Sequence, residues 1–279
     1  MPATRHPSPS PSPPNGDQAP EPESWLALTA PIQTLRLDDP LEWLSLGWRD
    51  FTRAPGVGLF FGACFFLMGH ALLQVFEKAP AYVLALSAGF LLMGPLLCLG
   101  LYDVSRQLRT GGKPSLRKAL VAWFPTKGTI GIFAGILLIL EMLWGRASLI
   151  VFAVSFDSMP TAQSTMSAIF SFDNIDFIIG YLIVGAIFAG LIFVTSVIAI
   201  PMILDKHTDA ISASLTSVRA CAHNPLTMAI WAALITLLIV IAMLPFFVGL
   251  LVIGPVLGHA TWHAYRAVIY GSPKPVGRF

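Results

Sequence analysis

Charge is what this chain has least of. Only 11% of its 279 residues are Asp, Glu, Lys or Arg, against roughly 25% in a soluble domain. With 55% hydrophobic residues beside so little charge, the chain is expected to live in a bilayer. Cysteine is scarce too. Cys64, Cys98 and Cys221 lack the spacing of a zinc site or a redox pair, so they read as small buried hydrophobes. The motifs of the common catalysts are missing: no phosphate-binding glycine loop ending in Lys-Ser/Thr, no dinucleotide fingerprint, no H-E-x-x-H, no nucleophile elbow. The expectation is a protein that is not an enzyme, with no catalytic residue, no cofactor and no nucleic-acid partner. The apolar segments show no period-two alternation, which argues against barrel strands.

Proline is plentiful and concentrated. Nine of the 22 prolines fall within residues 1–31. Such a stretch buries too little apolar surface to fold, and no apolar run follows Arg5 as a signal peptide requires. Residues 1–38 therefore read as a disordered cytoplasmic tail, 39–270 as a membrane domain and 271–279 as a short cytoplasmic C-terminal tail.

A helix crossing a core of ~30 Å needs about 20 mostly apolar residues. Six segments fit: Val57–Phe76, Ala81–Val104, Thr129–Phe156, Phe177–Leu204, Leu226–Leu244 and Phe246–Tyr265. Helices satisfy their own backbone hydrogen bonds in lipid, so the expected fold class is an all-α membrane protein of six transmembrane helices. Fifteen of the 17 lysines and arginines fall on one side of these spans; only Lys78 and Arg146 lie toward the other. By the positive-inside rule both termini face the cytoplasm.

One design recurs three times: an amphipathic helix, a proline, a span out and a span back. The three hairpins are each preceded by a helix expected to lie in the cytoplasmic interface. The first of these starts at Asp39-Pro40-Leu41-Glu42, with Asp39 as cap, Pro40 at the first helical position and Glu42 closing the box. Leu41, Leu44, Trp48 and Phe51 share one face. The second runs from Ser115 through Leu116, Ala119, Leu120 and Trp123, and the third starts near Asp209 with Ile211, Leu215 and Val218 aligned. Pro55, Pro125 and Pro225 end them. The returning spans contain Pro95, Pro201 and Pro255. In the first and third, Gly94-Pro95 matches Gly254-Pro255, Tyr102 matches Trp262, Asp103 matches His263 and Arg106 matches Arg266, the register of an internal repeat. Gly58, Gly62 and Gly69 in the first span, and Gly180, Gly185, Ala189 and Gly190 in the fourth, permit close helix approach.

Ionisable residues inside a membrane are functional candidates by default. Glu141 lies near the middle of the third span and Arg146 further out. Five positions apart, they point away from each other around the helix. They suggest either a structural pair or a transport path. His259 and His263, one turn apart, share a helix face, and Asp103 and Tyr102 occupy the matching depth on the second span. A zinc site takes three or four protein ligands, and two histidines with one possible aspartate make a thin set, so a metal or haem site competes with plain interfacial anchoring by Trp262, Tyr265 and Arg266. His70 reads as hydrogen-bonded to a neighbouring helix.

The stretches W-R-D-F-x-R-A-P-G at Trp48 to Gly56, G-P-L-L around Pro95, W-x-R-A-S around Arg146 and G-H-A-T-W-H-x-Y-R from Gly258 resemble the bacterial integral membrane family filed as domain of unknown function 2189, over about Leu41 to Ile269. The resemblance implies a multi-pass inner-membrane protein and transfers no catalytic or ligand-binding residue. The expected partners are membrane lipids, with a second copy of the chain or another membrane protein as further candidates.

Overall fold

The computed structural model describes residues 31–78, 83–155 and 175–271. Among the described residues all regular structure is helical. Helix α1 spans Asp39–Arg53, α2 Pro55–Lys78 and α3 Val83–Arg109. After them come α4 (Leu116–Val121), a single 3₁₀ turn at Phe124–Thr126, α5 (Lys127–Ser155) and α6 (Ile175–Ser196). The chain finishes with α7 (Ala199–Lys206), α8 (Ala210–His223), α9 (Pro225–Met243) and α10 (Leu250–Tyr270). Proline sets several of these starts. Pro55 and Pro225 each occupy the first position of a long helix, where a missing N–H costs nothing. Asp209 caps α8 by accepting the Ser212 N–H at 2.9 Å. Partial burial opposes its ionisation, but the bonds from Ser212 outweigh this and hold the carboxyl below its usual range.

Four stretches are long and apolar enough to cross a membrane: Pro55–Val75, Leu116–Ser155, Ile175–Lys206 and Pro225–Met243. By this measure the structure supports four of the six expected spans. Helices α3 and α10 are also long, 27 and 21 residues, but both carry polar residues along their second halves. Asp103, Ser105, His259 and Thr261 among them are buried against protein. From Pro255 to Ile269, every residue of α10 except His263 and Arg266 is buried.

Helix α10 is therefore the axis of the molecule. It packs against α1, α2, α3, α7 and α9. Two glycines let neighbouring backbones reach it. A Cβ on Gly47 of α1 would sit 2.6 Å from the Val256 carbonyl oxygen, and one on Gly62 of α2 would sit 2.0 Å from that of Leu251. The short helices and the long helices that precede them pack in a cyclic order. The short helix of each unit packs on the returning helix of the unit before it: α4 on α3, α8 on α6 and α7, and α1 on α10. The returning helices α3, α7 and α10 touch one another in the middle. The rings of Tyr102 on α3 and Trp262 on α10, paired in the sequence register, stack at 6.4 Å and 25°.

Several expectations need correction. The fourth span is not one continuous helix to Leu204. It breaks at Val197–Ile198, between α6 and α7, because Pro201 cannot donate to the carbonyl four residues upstream. The Ser217 hydroxyl of α8 accepts the Ile198 N–H at 3.2 Å, repairing the gap. The last helix begins at Leu250 rather than Phe246: Pro245 sits at the turn, and Phe246 and Phe247 take φ of 51° and 65°, left-handed values that end a helix. Phe247 then packs on Gly69. Gly180, Gly185 and Gly190 admit no close approach: the nearest atom to a Cβ on Gly180 is at 3.6 Å, and nothing lies within 4 Å of one on Gly190. The cause is the placement of α6 at the rim, with no buried residue. Asp39 is the first helical residue rather than the cap, and its carboxylate accepts the Arg36 N–H at 2.9 Å. Ala81 and Phe156, at the expected ends of two spans, lie outside the described residues.

Residues 31–38, grouped with the tail on composition, are strapped to the bundle. Gln33 donates its N–H to the Val268 carbonyl at 2.9 Å. Asn224 accepts from the Leu35 N–H at 2.8 Å and donates to the Gln33 carbonyl at 3.0 Å.

Candidate functional site

The polar residues that matter gather at one end of the bundle, where α1 meets the second halves of α3 and α10. Asp50 sits on the α1 face that carries Trp43 and Gly47, and all three are buried. His263 Nε2 donates to Asp50 Oδ2 at 2.8 Å. One turn back, His259 Nδ1 lies 2.8 Å from the Ser105 hydroxyl of α3. Burial opposes ionisation of Asp50, but the hydrogen bond and charge of His263, with help from Ser105 and His259, outweigh it and hold its carboxyl below the usual range. The two histidines thus take different partners. Among the described residues no three His, Cys, Asp or Glu side chains converge in a way that would hold a metal ion. His259 Nε2 is buried with no hydrogen-bond partner among the described residues.

Asp103, offered from sequence beside the histidines, serves another cluster. It accepts from Arg106 and from Gln107, each at 2.6 Å, and the Gln107 carbonyl oxygen accepts the Ser115 N–H at 3.0 Å. Asp103 thereby ties α3 to the start of α4. Tyr102 contributes its ring stack on Trp262. A third carboxylate, Asp205 at the end of α7, accepts from the Tyr265 and Tyr270 hydroxyls at 2.8 and 3.0 Å.

Among the described residues, cavities open at this end, and one of them is strongly basic. It has a volume of about 360 Å³ and lies between α1, α3 and α10, lined by Arg49, Arg109, Arg266, His263, Trp43 and Tyr270 among others. A second is lined by Asp103, Arg106 and Lys118, and a third by Arg219 and His223. Glu141 lines none of the three. It is 4% exposed on α5, and its Oε1 has no partner among the described residues. Arg146 is exposed and forms no ion pair with it. His70 does not bond a neighbouring helix through Nδ1, which is buried without a partner among the described residues; its ring stacks on Phe66, one turn earlier, at 5.6 Å. The cysteines are free. Cys64 and Cys98 are half-buried and Cys221 is buried, and burial pushes the Cys221 thiol up to about 11, which leaves it protonated and inert.

Sequence reading passed over Asp50, Ser105, Asp205 and Asn224 as site members. Asp50 had a usable signal: an acid one position before Phe51, on the side of α1 away from Leu41 and Trp48. A carboxylate there needs a buried partner. Ser105 and Asn224 gave none, since their roles depend on which helix comes to face them.

Apolar helices of this length, with large exposed side chains such as Ile132, Leu182 and Leu237, define an all-helical integral membrane protein. The chain's residues 83–205, from the start of α3 into α7, match the family model described as a predicted integral membrane protein, DUF2189. The G-P-L-L and W-x-R-A-S stretches fall within the match; the W-R-D-F and G-H-A-T-W-H stretches lie outside it. No curated protein and no solved structure matches the chain.

Proposed function

We propose that this is a six-span protein of the bacterial inner membrane, with both termini in the cytoplasm, that is not an enzyme and that organises lipid or membrane partners at the cytoplasmic leaflet. One observation carries the reading. The three short helices each turn an apolar face outward from the same basic end of the bundle: Leu41 and Trp48 on α1, Leu120, Val121 and the following Phe124 at α4, and Ile211, Leu215 and Val218 on α8 are all exposed. Their opposite faces are held by protein, so the outward faces are fixed in place. A rim of apolar side chains bordered by Arg49, Arg117, Lys118 and Arg219 suits the boundary between acyl chains and anionic headgroups. The remaining polar halves of α3 and α10 are shielded inside the bundle, which lets both helices serve as spans. Spin labels attached at Leu41→Cys, Phe124→Cys and Ile211→Cys in reconstituted vesicles test this. Collision with oxygen should exceed collision with a water-soluble relaxant at all three, and a label at Thr110→Cys should show the reverse. Three labels freely reached by the water-soluble agent would overturn the interfacial assignment.

A second reading rests on Glu141, a buried acid with one oxygen unpartnered among the described residues. In this reading Glu141, with Arg146 outward of it, forms part of an ion or small-molecule path. Flux into liposomes that is abolished by Glu141→Gln supports it; native protein without flux rejects it.

A further inference from the structure

We propose that the basic cavity between α1, α3 and α10 binds a phosphate monoester, the group carried by a phosphatidate headgroup or by a soluble phosphate ester. Three guanidinium-bearing residues, Arg49, Arg109 and Arg266, come from three different helices to line it. None of them forms an ion pair with a carboxylate among the described residues, unlike Arg36 with Asp38 and Arg106 with Asp103. The planar fork of arginine matches phosphate oxygens two at a time. Three arginines without a carboxylate of their own around one hollow favour an anion of more than one charge. At about 360 Å³ the hollow falls within the roughly 300–1,000 Å³ of small-ligand sites, leaving room for the alcohol that the phosphate esterifies.

The internal repeat supplies the second line of argument. The cavity between α3 and α4 is built on the matching positions of the first returning helix, Asp103 and Arg106. There the acid neutralises the arginine at 2.6 Å. In α10 the same two positions hold His263 and Arg266. The acid has been replaced by a histidine, and that histidine is turned to Asp50 of α1. Arg266 is left with no acid of its own, and its guanidinium lies 3.9 Å from the centre of the Tyr270 ring, which fixes its plane. Asp205 lies at the hydroxyl end of that ring and is occupied by the Tyr265 and Tyr270 hydroxyls. One copy of the design is thus closed by its own carboxylate, and the other is open to an external anion.

This inference deepens the membrane-surface reading and rests on it only for the lipid source of the phosphate. The full chain in phosphatidylcholine nanodiscs is the sample, and its thermal unfolding temperature is the readout. Phosphatidic acid incorporated in the disc is one arm; glycerol 3-phosphate and inorganic phosphate added to the buffer are the second; phosphatidylglycerol and sulfate are the charge controls. The expected result is stabilisation by one of the two phosphate-ester arms well above its control, with affinity lowered about tenfold or more by Arg266→Gln or Arg109→Gln. Lys113→Gln, which removes the same charge from an exposed residue lining none of the three cavities, should leave it unchanged. Stabilisation in the first arm identifies a lipid headgroup, and in the second a soluble ester. No stabilisation in either arm, equal stabilisation by the controls, or an effect that survives both arginine variants would overturn the proposal. Arginine variants that unfold before ligand is added are replaced by Arg49→Lys, which keeps the charge, loses the fork and should weaken binding. The spin-label depths are measured without ligand, so failure of phosphate binding leaves the interfacial reading standing, and failure of the depths leaves the soluble-ester arm standing.

Discussion

A buried aspartate is the most demanding single residue in this molecule. Asp50 is 3% exposed, and a buried carboxylate persists only where partners replace its water. His263 at 2.8 Å is the main replacement. Because the folded protein holds the Asp50 carboxyl below the ordinary value of 3.8, the folded state favours the ionised form. Its contribution is fully present above that ordinary value and is lost as pH falls through the lower, folded one. The unfolding temperature of the native protein in detergent should therefore carry an acid-side loss, beginning below about pH 4, that Asp50→Asn does not show. At neutral pH the same substitution should cost about 1–3 kcal/mol, the usual cost of stranding a buried polar partner. Identical acid limbs for the two proteins would show that the pair contributes nothing.

The helices show where one-dimensional reading succeeds and where it stops. The starts at Pro55, Pro225 and Asp209 were legible because each depends on residues within one turn. The match of Tyr102 with Trp262 was legible as a register, but the stacking of the two rings was not, since it needs α3 and α10 to be neighbours. The break ahead of Pro201 was missed although the proline was in view: Pro255 also removes a backbone donor, yet α10 runs on through it. The glycines divide the same way. Gly62 and Gly190 look alike in sequence, but only Gly62 has another helix backbone against it. Gly62→Ala should drive α2 off Leu251 and cost about 1–3 kcal/mol. Gly190→Ala, with open space around it, should be neutral or should gain up to about 1 kcal/mol from helix propensity. Thermal unfolding of both variants in one detergent checks the contrast, and equal effects would mean that α2 does not pack on α10 as described.

At the scale of the whole molecule, order along the chain and order in space run in opposite senses. The last helix is the axis, and the first helix closes on it, so contacts between α1 and α10 join residues some 200 positions apart, as Asp50 and His263 do across 213. Sequence alone could not place that closure; three similar hairpins are equally compatible with a row. A ring has a consequence that a row does not. In a row, removing the third unit exposes one edge and leaves the first two units packed. In the ring, it strips α1, α2 and α3 of their shared partner at once, uncovering Gly47, Asp50 and Gly62 together. A fragment of residues 1–206 should therefore be degraded or lost on detergent extraction. Co-expression with residues 207–279, which keep α8 and its Asp209 cap intact, should restore it, because helices that insert separately can assemble afterwards within the bilayer. The two pieces should co-purify, and Asp50→Leu in the first piece should weaken their association by removing the acceptor for His263. A first fragment that is stable and monodisperse alone would show that α10 is an appendage and that the ring order does not hold the molecule together.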